Sequence, residues 1–283
     1  MSLLIGQITD IHIGFDPGNP DEYNMERLRA VVARVASAPS QPDLVLLTGD
    51  LSEHGDAESY ARLVKALAPL GVPLWPMVGN HDTREGVVAA FPQVWLDRGF
   101  LQYVIELSDF RIVMLDTLEP GRHGGGFCAA RADWLANQLA AHPATPTLIA
   151  MHHPPFESGI AWLDGDAREP WMARFVTAIA GHNQVVGIIS GHLHRTIATG
   201  LGGMPLVVAP STAPAVALDL TPIDPATPDG RVMITTEEAG YALHRWDGTR
   251  LISHFETVGS LNSLARYDAA LLETVQIIAA ERP

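Results

Sequence analysis

Five aliphatic runs, at positions 3–8, 44–48, 72–77, 147–151 and 185–190, set the pattern of this chain. Each has strand length and is rich in Val, Ile and Leu, as a parallel strand buried on both faces should be. Each run is followed by residues of a different kind. Asp10 and His12 follow the first, Asp50 the second, Gly79-Asn80-His81-Asp82 the third, His152 and His153 the fourth, His192 and His194 the fifth. In open α/β sheets the ligand crevice lies at the carboxyl ends of the strands, so five such endings can converge on one site.

Between the runs the apolar spacing becomes helical. Leu28, Val31, Val32 and Val35 fall at i, i+3, i+4 and i+7 and predict a helix over 26–36; Tyr60, Leu63, Val64 and Leu67 predict another, stopped by Gly71. The order so far is βαβαβ. Asp82-Thr83-Arg84-Glu85 reads as an N-cap with a capping-box acid, which starts a helix directly behind His81. Runs 103–107 and 111–115 predict a β-hairpin, and Gly121, Gly124, Gly125 and Gly126 a flexible loop around Arg122 and His123. Helices follow over 129–141 and 171–180. Beyond Arg195, short runs at 196–199, 205–208, 232–235, 241–246 and 251–256 predict a second, antiparallel β layer, interrupted by a Pro-rich loop over 221–230. Leu264, Tyr267, Leu271, Val275 and Ile278 predict an amphipathic helix within 261–282. Its stripe must be buried on its own domain or on a second copy, so a homo-oligomer is open. The expected organisation is a catalytic domain over 1–258 and a helical tail over 259–283.

Composition narrows the partners. The chain has 283 residues, 47% of them apolar, enough for a sizeable core. A net charge of −14 argues against a nucleic-acid polymer as partner, because backbone affinity comes from clustered Lys and Arg. Small anionic substrates stay open, since bound divalent cations would reverse the local polarity. Cys128 is the single cysteine; it excludes an internal disulfide, fits a reducing compartment and reads as a small packed residue. The start has no basic n-region and no stretch of 18 apolar residues occurs, so a cytoplasmic protein with no membrane partner is expected.

Each strand ending has a bland reading of its own. Asp50 could cap a helix, Asn80 could serve a turn, and His152 or His153 could be positioned by Pro154 and Pro155. Taken together, all are metal-competent and all follow strand-like runs. Two hard or borderline cations need carboxylate and imidazole ligands, and a bridging carboxylate lets both ions share one water-derived nucleophile. Asp50 is the candidate bridge.

Asp10-x-His12, Gly49-Asp50, Gly79-Asn80-His81-Asp82, His152-x-Pro154 and Gly191-His192-x-His194 resemble the five ordered motifs of the calcineurin-like metallophosphoesterase superfamily. Within it, Thr48-Gly49-Asp50-Leu51 and Met151-His152-His153-Pro154-Pro155 resemble the class III cyclic-nucleotide phosphodiesterases and the related bacterial glycerophosphodiesterases. The resemblance implies an α/β fold, a four-layer α/β/β/α sandwich with a C-terminal helix. It implies two divalent metal ions, drawn from Fe, Mn, Zn or Co. One would be held by Asp10, His12, Asp50 and His194, the other by Asp50, Asn80, His152 and His192. It assigns catalytic parts to His81, Asp50 and Asn80, with Asn80 and His81 on the substrate and His81 assisting the leaving oxygen. His153 and Asp82 would stand behind the ligands.

Departures from neighbouring families narrow the resemblance. The Asp-Arg-Gly of the protein Ser/Thr phosphatases is replaced by Leu51-Ser52-Glu53-His54-Gly55, and Glu53 stands where purple acid phosphatases carry a tyrosine ligand. The implied activity is hydrolysis of a small phosphodiester, 3',5'-cyclic nucleotides such as cAMP first, by in-line attack of a metal-bound hydroxide. The alternatives are a glycerophosphodiester or broad-specificity phosphodiesterase and phosphomonoesterase, and a non-catalytic interaction module of the same fold. Trp162 or His123 could stack on a purine, although Trp162 reads equally as a packed loop anchor.

Overall fold

The computed structural model describes residues 2–166, 168–260 and 262–282. In chain order its elements are β1 (Leu3–Ile8), α1 (Tyr23–Ala36), β2 (Leu44–Thr48), α2 (Ala57–Leu67), β3 (Leu74–Met77), α3 (Arg84–Ala90), β4 (Tyr103–Glu106), β5 (Arg111–Leu115), α4 (Ala129–Ala141), β6 (Thr147–Met151), α5 (Pro170–Ile179), β7 (Val185–Ser190), β8 (Ile197–Leu201), β9 (Met204–Val208), β10 (Ala215–Val216), β11 (Ile234–Thr235), β12 (Gly240–Trp246), β13 (Leu251–Thr257) and α6 (Leu272–Ala280). One large sheet has the order β13-β12-β1-β2-β3, the other β4-β5-β6-β7-β9-β8, and β10 and β11 pair in a small sheet of two strands. β1, β2 and β3 are parallel, as are β5, β6, β7 and β9.

The aliphatic runs lack polar alternation because both of their faces are covered. Ile112, Met114, Leu148, Ala150 and Ile189 pack with the residues of the first sheet. Their neighbours Val113, Leu115, Ile149, Met151 and Ile188 pack instead with Leu135 and Leu139 of α4 and Phe175 and Ile179 of α5. The period of two thus deals successive side chains to two different cores. On the far side α1 lays Leu28, Val31, Val32 and Val35 against the first sheet, joined by Leu63 of α2. Each such fully buried side chain contributes about 1.5–3 kcal/mol. The layers are α/β/β/α, as the resemblance implies. Gly71, at φ 66, ends the 3-10 turn behind α2.

Three expectations are corrected. Beyond Arg195 the two-residue strands β10 and β11 pair antiparallel apart from the large sheets, but the longer strands build no layer of their own: β12 pairs antiparallel with β1 and carries β13, whereas β9 pairs parallel with β7 and carries β8. They cover the open hydrogen-bonding edges of strands already present, which a strand edge requires. The predicted C-terminal helix shrinks to α6. Its expected first residue, Leu261, lies outside the described residues, and Leu264 is 99% exposed ahead of the helix. No residue of α6 is buried. A short helix with no packed face has little to extend it. Cys128 occupies the N-cap position of α4 and is half-buried, not packed in a core. Among the described residues no helix is long and apolar enough to cross a membrane.

Candidate metal centre

The carboxyl ends of β1, β2 and β3 in one sheet and of β6 and β7 in the other meet, and the candidate residues meet with them. Ligand atoms of Asp10, His12 and His194 lie within 4.8 Å of one another. So do those of Asp10, Asp50 and His152, and those of His152, His153 and His192. Asn80 and His81 stand alongside. The His81 N–H donates to Asp50 Oδ1 (2.9 Å), and Asn80 Oδ1 lies 3.2 Å from His153 Nε2.

The backbone is bent to achieve this. Among the described residues six that are not glycine have positive φ, and five of them are Asp10, His12, Asp50, His192 and His194, at 49° to 73°. Such a conformation costs energy for a residue with a side chain and persists where surrounding structure enforces it, commonly at functional sites. Two glycines make room. A Cβ on Gly79 would overlap Asp50 Oδ1, and one on Gly49, at φ 92, would overlap the His152 ring.

Hydrogen bonds set which ring nitrogens face inward. Carbonyls accept only, so His152 Nδ1–H donates to Thr48 O (2.8 Å) and His194 Nδ1–H to Pro214 O (2.8 Å). His12 Nδ1–H donates to the Glu53 carboxylate (2.7 Å). The three Nε2 atoms are left pointing at other acceptors. His12 Nε2 lies 3.2 Å from His194 Nε2, and His152 Nε2 lies 3.2 Å from Asp50 Oδ2. His194 Nε2 is 3.5 Å from Asp10 Oδ1, and His12 Nε2 is 3.6 Å from Asp50 Oδ2. His152 Nε2 is buried with no hydrogen-bond partner. With the His152 proton displaced, these inward nitrogens offer lone pairs to cations, and backbone or carboxylate partners on the outer nitrogen are the usual support of metal-binding histidines. The residues therefore fit a pair of divalent ions with oxygen and nitrogen donors.

Protonation follows the same layout. Burial, reinforced by neighbouring histidines, holds His153 and His192 well below the usual imidazole range; burial also lowers His194. These rings are neutral, and those of His192 and His194 have a lone pair to donate. For His152, burial works downward, but the Asp50 and Asp10 carboxylates outweigh it and lift the ring to about 9. Asp50 is the counterpart: burial works upward, and the charges of His152, His12 and His81 hold it well below the carboxylate range. A divalent ion would displace the proton His152 keeps there, so metal uptake should release protons.

Behind the donors lie residues that hold them. Asp82 is not the N-cap of α3. Thr83 is, accepting from Gly86 N, while the Asp82 carboxylate takes the N–H groups of Gly79 (2.9 Å), Leu51 (3.1 Å) and Ser52 (3.1 Å) and the Tyr60 hydroxyl (2.9 Å). Three buried N–H groups of the two loops needed an acceptor, and that demand outweighs an exposed helix cap. Burial and then the Asp50 charge push Asp82 up to about 6. His153 sits between Thr117 Oγ1 (2.8 Å), Asn80 Oδ1 and the His123 carbonyl.

Sequence reasoning assigned Glu53 no part, and read Tyr60 only as core. Glu53 binds His12 through its carboxylate, and its own carbonyl lies 3.1 Å from His81 Nδ1. The available signal was an acid three residues behind Asp50. Glu53→Gln keeps the shape and removes the charge. If His12 is a ligand, this should weaken binding of its ion about 10–100-fold in equilibrium dialysis against Mn²⁺, the usual cost of losing an outer partner of a ligand. Unchanged affinity would refute that tie.

A cavity of about 620 Å³ opens on the donors. Its lining joins His12, Asp50, Glu53, His81, His123, His192 and His194 with Phe15, Tyr23, Trp162, Leu163, Val216 and Ile234, and includes Asp16, Glu22 and Asn24; no lysine or arginine is among the lining residues. His123 packs on His192 with ring centroids 4.7 Å apart. Trp162 lines the cavity and also packs on the second core, and its Nε1 is buried without a partner.

A buried ring of aspartate and histidine donors at the joined strand ends of two sheets is the site of a metal-dependent hydrolase of phosphoric esters. Residues 3–196 match the family model of the calcineurin-like phosphoesterases, and the chain belongs to that family. It is 33% identical over 287 residues to a probable cyclic nucleotide phosphodiesterase of Rhodopseudomonas palustris, covering 95% of this chain and 97% of the relative. It is 28% identical over 264 residues to a probable glycerophosphodiester phosphodiesterase GpdQ of Arcobacter nitrofigilis, covering 91% and 94%. The solved structure of GAP50, the anchor in the inner membrane complex of Plasmodium, superposes with a TM-score of 0.60 at 13% identity, covering 99% of this chain and 94% of that one. That likeness concerns the fold alone.

Proposed function

We propose that this protein hydrolyses small phosphodiesters and that 3',5'-cyclic nucleotides, cAMP foremost, are its substrates. Asp10, His12, Asp50 and His194 would hold one ion, and Asp50, Asn80, His152 and His192 the other, with Asp50 shared. Bound there, the ions supply Lewis acidity and a nucleophile drawn from water at neutral pH. The chain's own groups do the rest. Asn80 and His81 face the phosphate, and His81, held through Nδ1 on the Glu53 carbonyl, has Nε2 left to protonate the leaving oxygen. His153 and Asp82 keep Asn80 and the two loops in place. Residues 1–258 would form the catalytic unit and 259–283 a tail.

One observation carries this reading: the cavity offers a phosphate no Lys or Arg, and its lining adds apolar side chains such as Phe15, Trp162, Leu163 and Ile234 to the donors. A monoester dianion asks for more positive charge than a diester monoanion, and a purine suits apolar lining better than glycerol or ethanolamine does. The likeness to the Rhodopseudomonas relative points the same way. The glycerophosphodiester reading is favoured by the Arcobacter relative and disfavoured by the apolar lining. A module without activity would have no need of the complete donor set.

The test is a comparison of kcat/KM, on Mn²⁺-loaded protein, for 3',5'-cyclic AMP, 2',3'-cyclic AMP, glycerophosphoethanolamine, bis(4-nitrophenyl) phosphate and 4-nitrophenyl phosphate. Cyclic AMP should exceed glycerophosphoethanolamine, and the nitrophenyl diester its monoester, each by at least about tenfold, or about 1.4 kcal/mol of barrier. The reverse order of the first pair would favour the glycerophosphodiester reading. A monoester matching its diester would end the charge argument.

A further inference from the structure

Between the two sheets lies a polar chain that catalysis does not explain. Gln7, Thr48, Ser190 and His244 are all fully buried. Gln7 Nε2 donates to Thr48 Oγ1 (2.9 Å) and Ser190 O (3.0 Å). Because a carbonyl only accepts, this fixes the amide's orientation, and Gln7 Oε1 must take the Nε2–H of His244 (2.9 Å). His244 Nδ1 is then an acceptor and takes the Ser253 hydroxyl (2.8 Å). Burial, then the nearby His254, pushes His244 down to about 4, which keeps it neutral.

The chain of bonds runs from β13 through β12 and β1 to β2, and crosses between the sheets to β7. Its two ends there are not arbitrary. Thr48 and Ser190 are the last residues of β2 and β7, each two positions before a metal candidate, Asp50 and His192. The Thr48 carbonyl also receives His152 Nδ1–H. One amide thus ties the supports of three donors proposed for the same ion. A core seeking only stability would be filled more cheaply by an apolar side chain, since buried polar groups bring a desolvation cost that hydrogen bonds merely offset.

We infer that Gln7, oriented by His244, is a positioning residue that sets the gap between the sheet ends for the ion at Asp50, Asn80, His152 and His192. The β12–β13 pair, which lies beyond the family match over 3–196, thereby takes part in metal binding. The inference rests on the two-ion reading above.

Calorimetric titration with Mn²⁺ separates the two. Wild-type protein should bind in two steps. Gln7→Met keeps the length and removes every bond of the amide. It should leave the first step within about threefold and weaken the second about 10–100-fold, as loss of a ligand's outer support does. His244→Phe should weaken the same step less, because Gln7 keeps its two donor bonds. Leu28→Ala, a cavity on the far face of the first sheet, should lower Tm and leave both steps alone. If Gln7→Met does not fold, Thr48→Val, isosteric and lacking one acceptor, is read by the same criterion. Two steps in the variant within about twofold of wild type would overturn the inference. A single step in the wild type would instead overturn the two-ion reading, and the inference with it.

Discussion

Replacing Asp50 by Asn should strip both ions from the protein and lower kcat/KM on any diester by more than about 10³-fold, since even one stabilising donor is worth about 10²–10³. Asp50 Oδ2 faces His152 Nε2 at 3.2 Å and His12 Nε2 at 3.6 Å, so the same oxygen addresses both donor groups. The amide keeps an oxygen to accept from His81 N–H, the bond that Asp50 Oδ1 makes at 2.9 Å, so the loops should hold. What is lost is the negative charge between two cations. Metal content by plasma mass spectrometry, read beside circular dichroism, distinguishes this from unfolding. A folded Asp50→Asn protein still carrying two ions per chain would rule out the shared bridge.

His81→Ala should do the opposite to the two readouts, leaving metal content unchanged and depressing kcat by roughly 10²–10⁴, the usual worth of a positioned acid. His81 is outside the proposed ligand sets, although one of its ring nitrogens lies within 4.8 Å of ligand atoms of His12 and Glu53, and its ring meets the His12 ring edge-on at 4.7 Å between centroids. Its Nδ1 is taken by the Glu53 carbonyl, so a proton for the leaving group must come from Nε2. The Glu53 carboxylate lies 3.6 Å from the same Nδ1. The loss should therefore be large on cyclic AMP, whose leaving alkoxide needs a proton, and small on bis(4-nitrophenyl) phosphate, whose phenolate does not. Equal losses on both substrates would assign His81 to phosphate binding and remove it as the acid.

The two predictions differ in how readable their residues were. The ligand types stood at the ends of apolar runs, and a run's length and composition are local properties. The helical stripe Leu28, Val31, Val32, Val35 and the hairpin of β4 and β5 were legible for the same reason. The capping role read for Asp82 failed because its local pattern, an acid with Glu85 three residues on, is a sound cap signal; acceptors were needed by Leu51 and Ser52, about thirty positions earlier. Glu53 and Tyr60 each had an unremarkable local role available. Nothing near Gln7 in the chain announces His244, 237 positions away.

Taken alone, the chain determined which segments become strands or helices, that the strands would be covered on both sides, and that metal-competent side chains would stand at five strand ends. These follow from period, composition and order along the backbone. Only the tertiary structure decided which strands share a sheet, that β12 and β13 complete the first while β9 and β8 complete the second, and that α6 leaves its apolar residues exposed. It alone turned Asp82 inward, set Glu53 against His12 and joined Gln7 to both sheets. The physical reason is range. Hydrophobic period is written into neighbouring residues, whereas the partner of a buried polar atom is whatever the folded chain brings within about 3 Å of it.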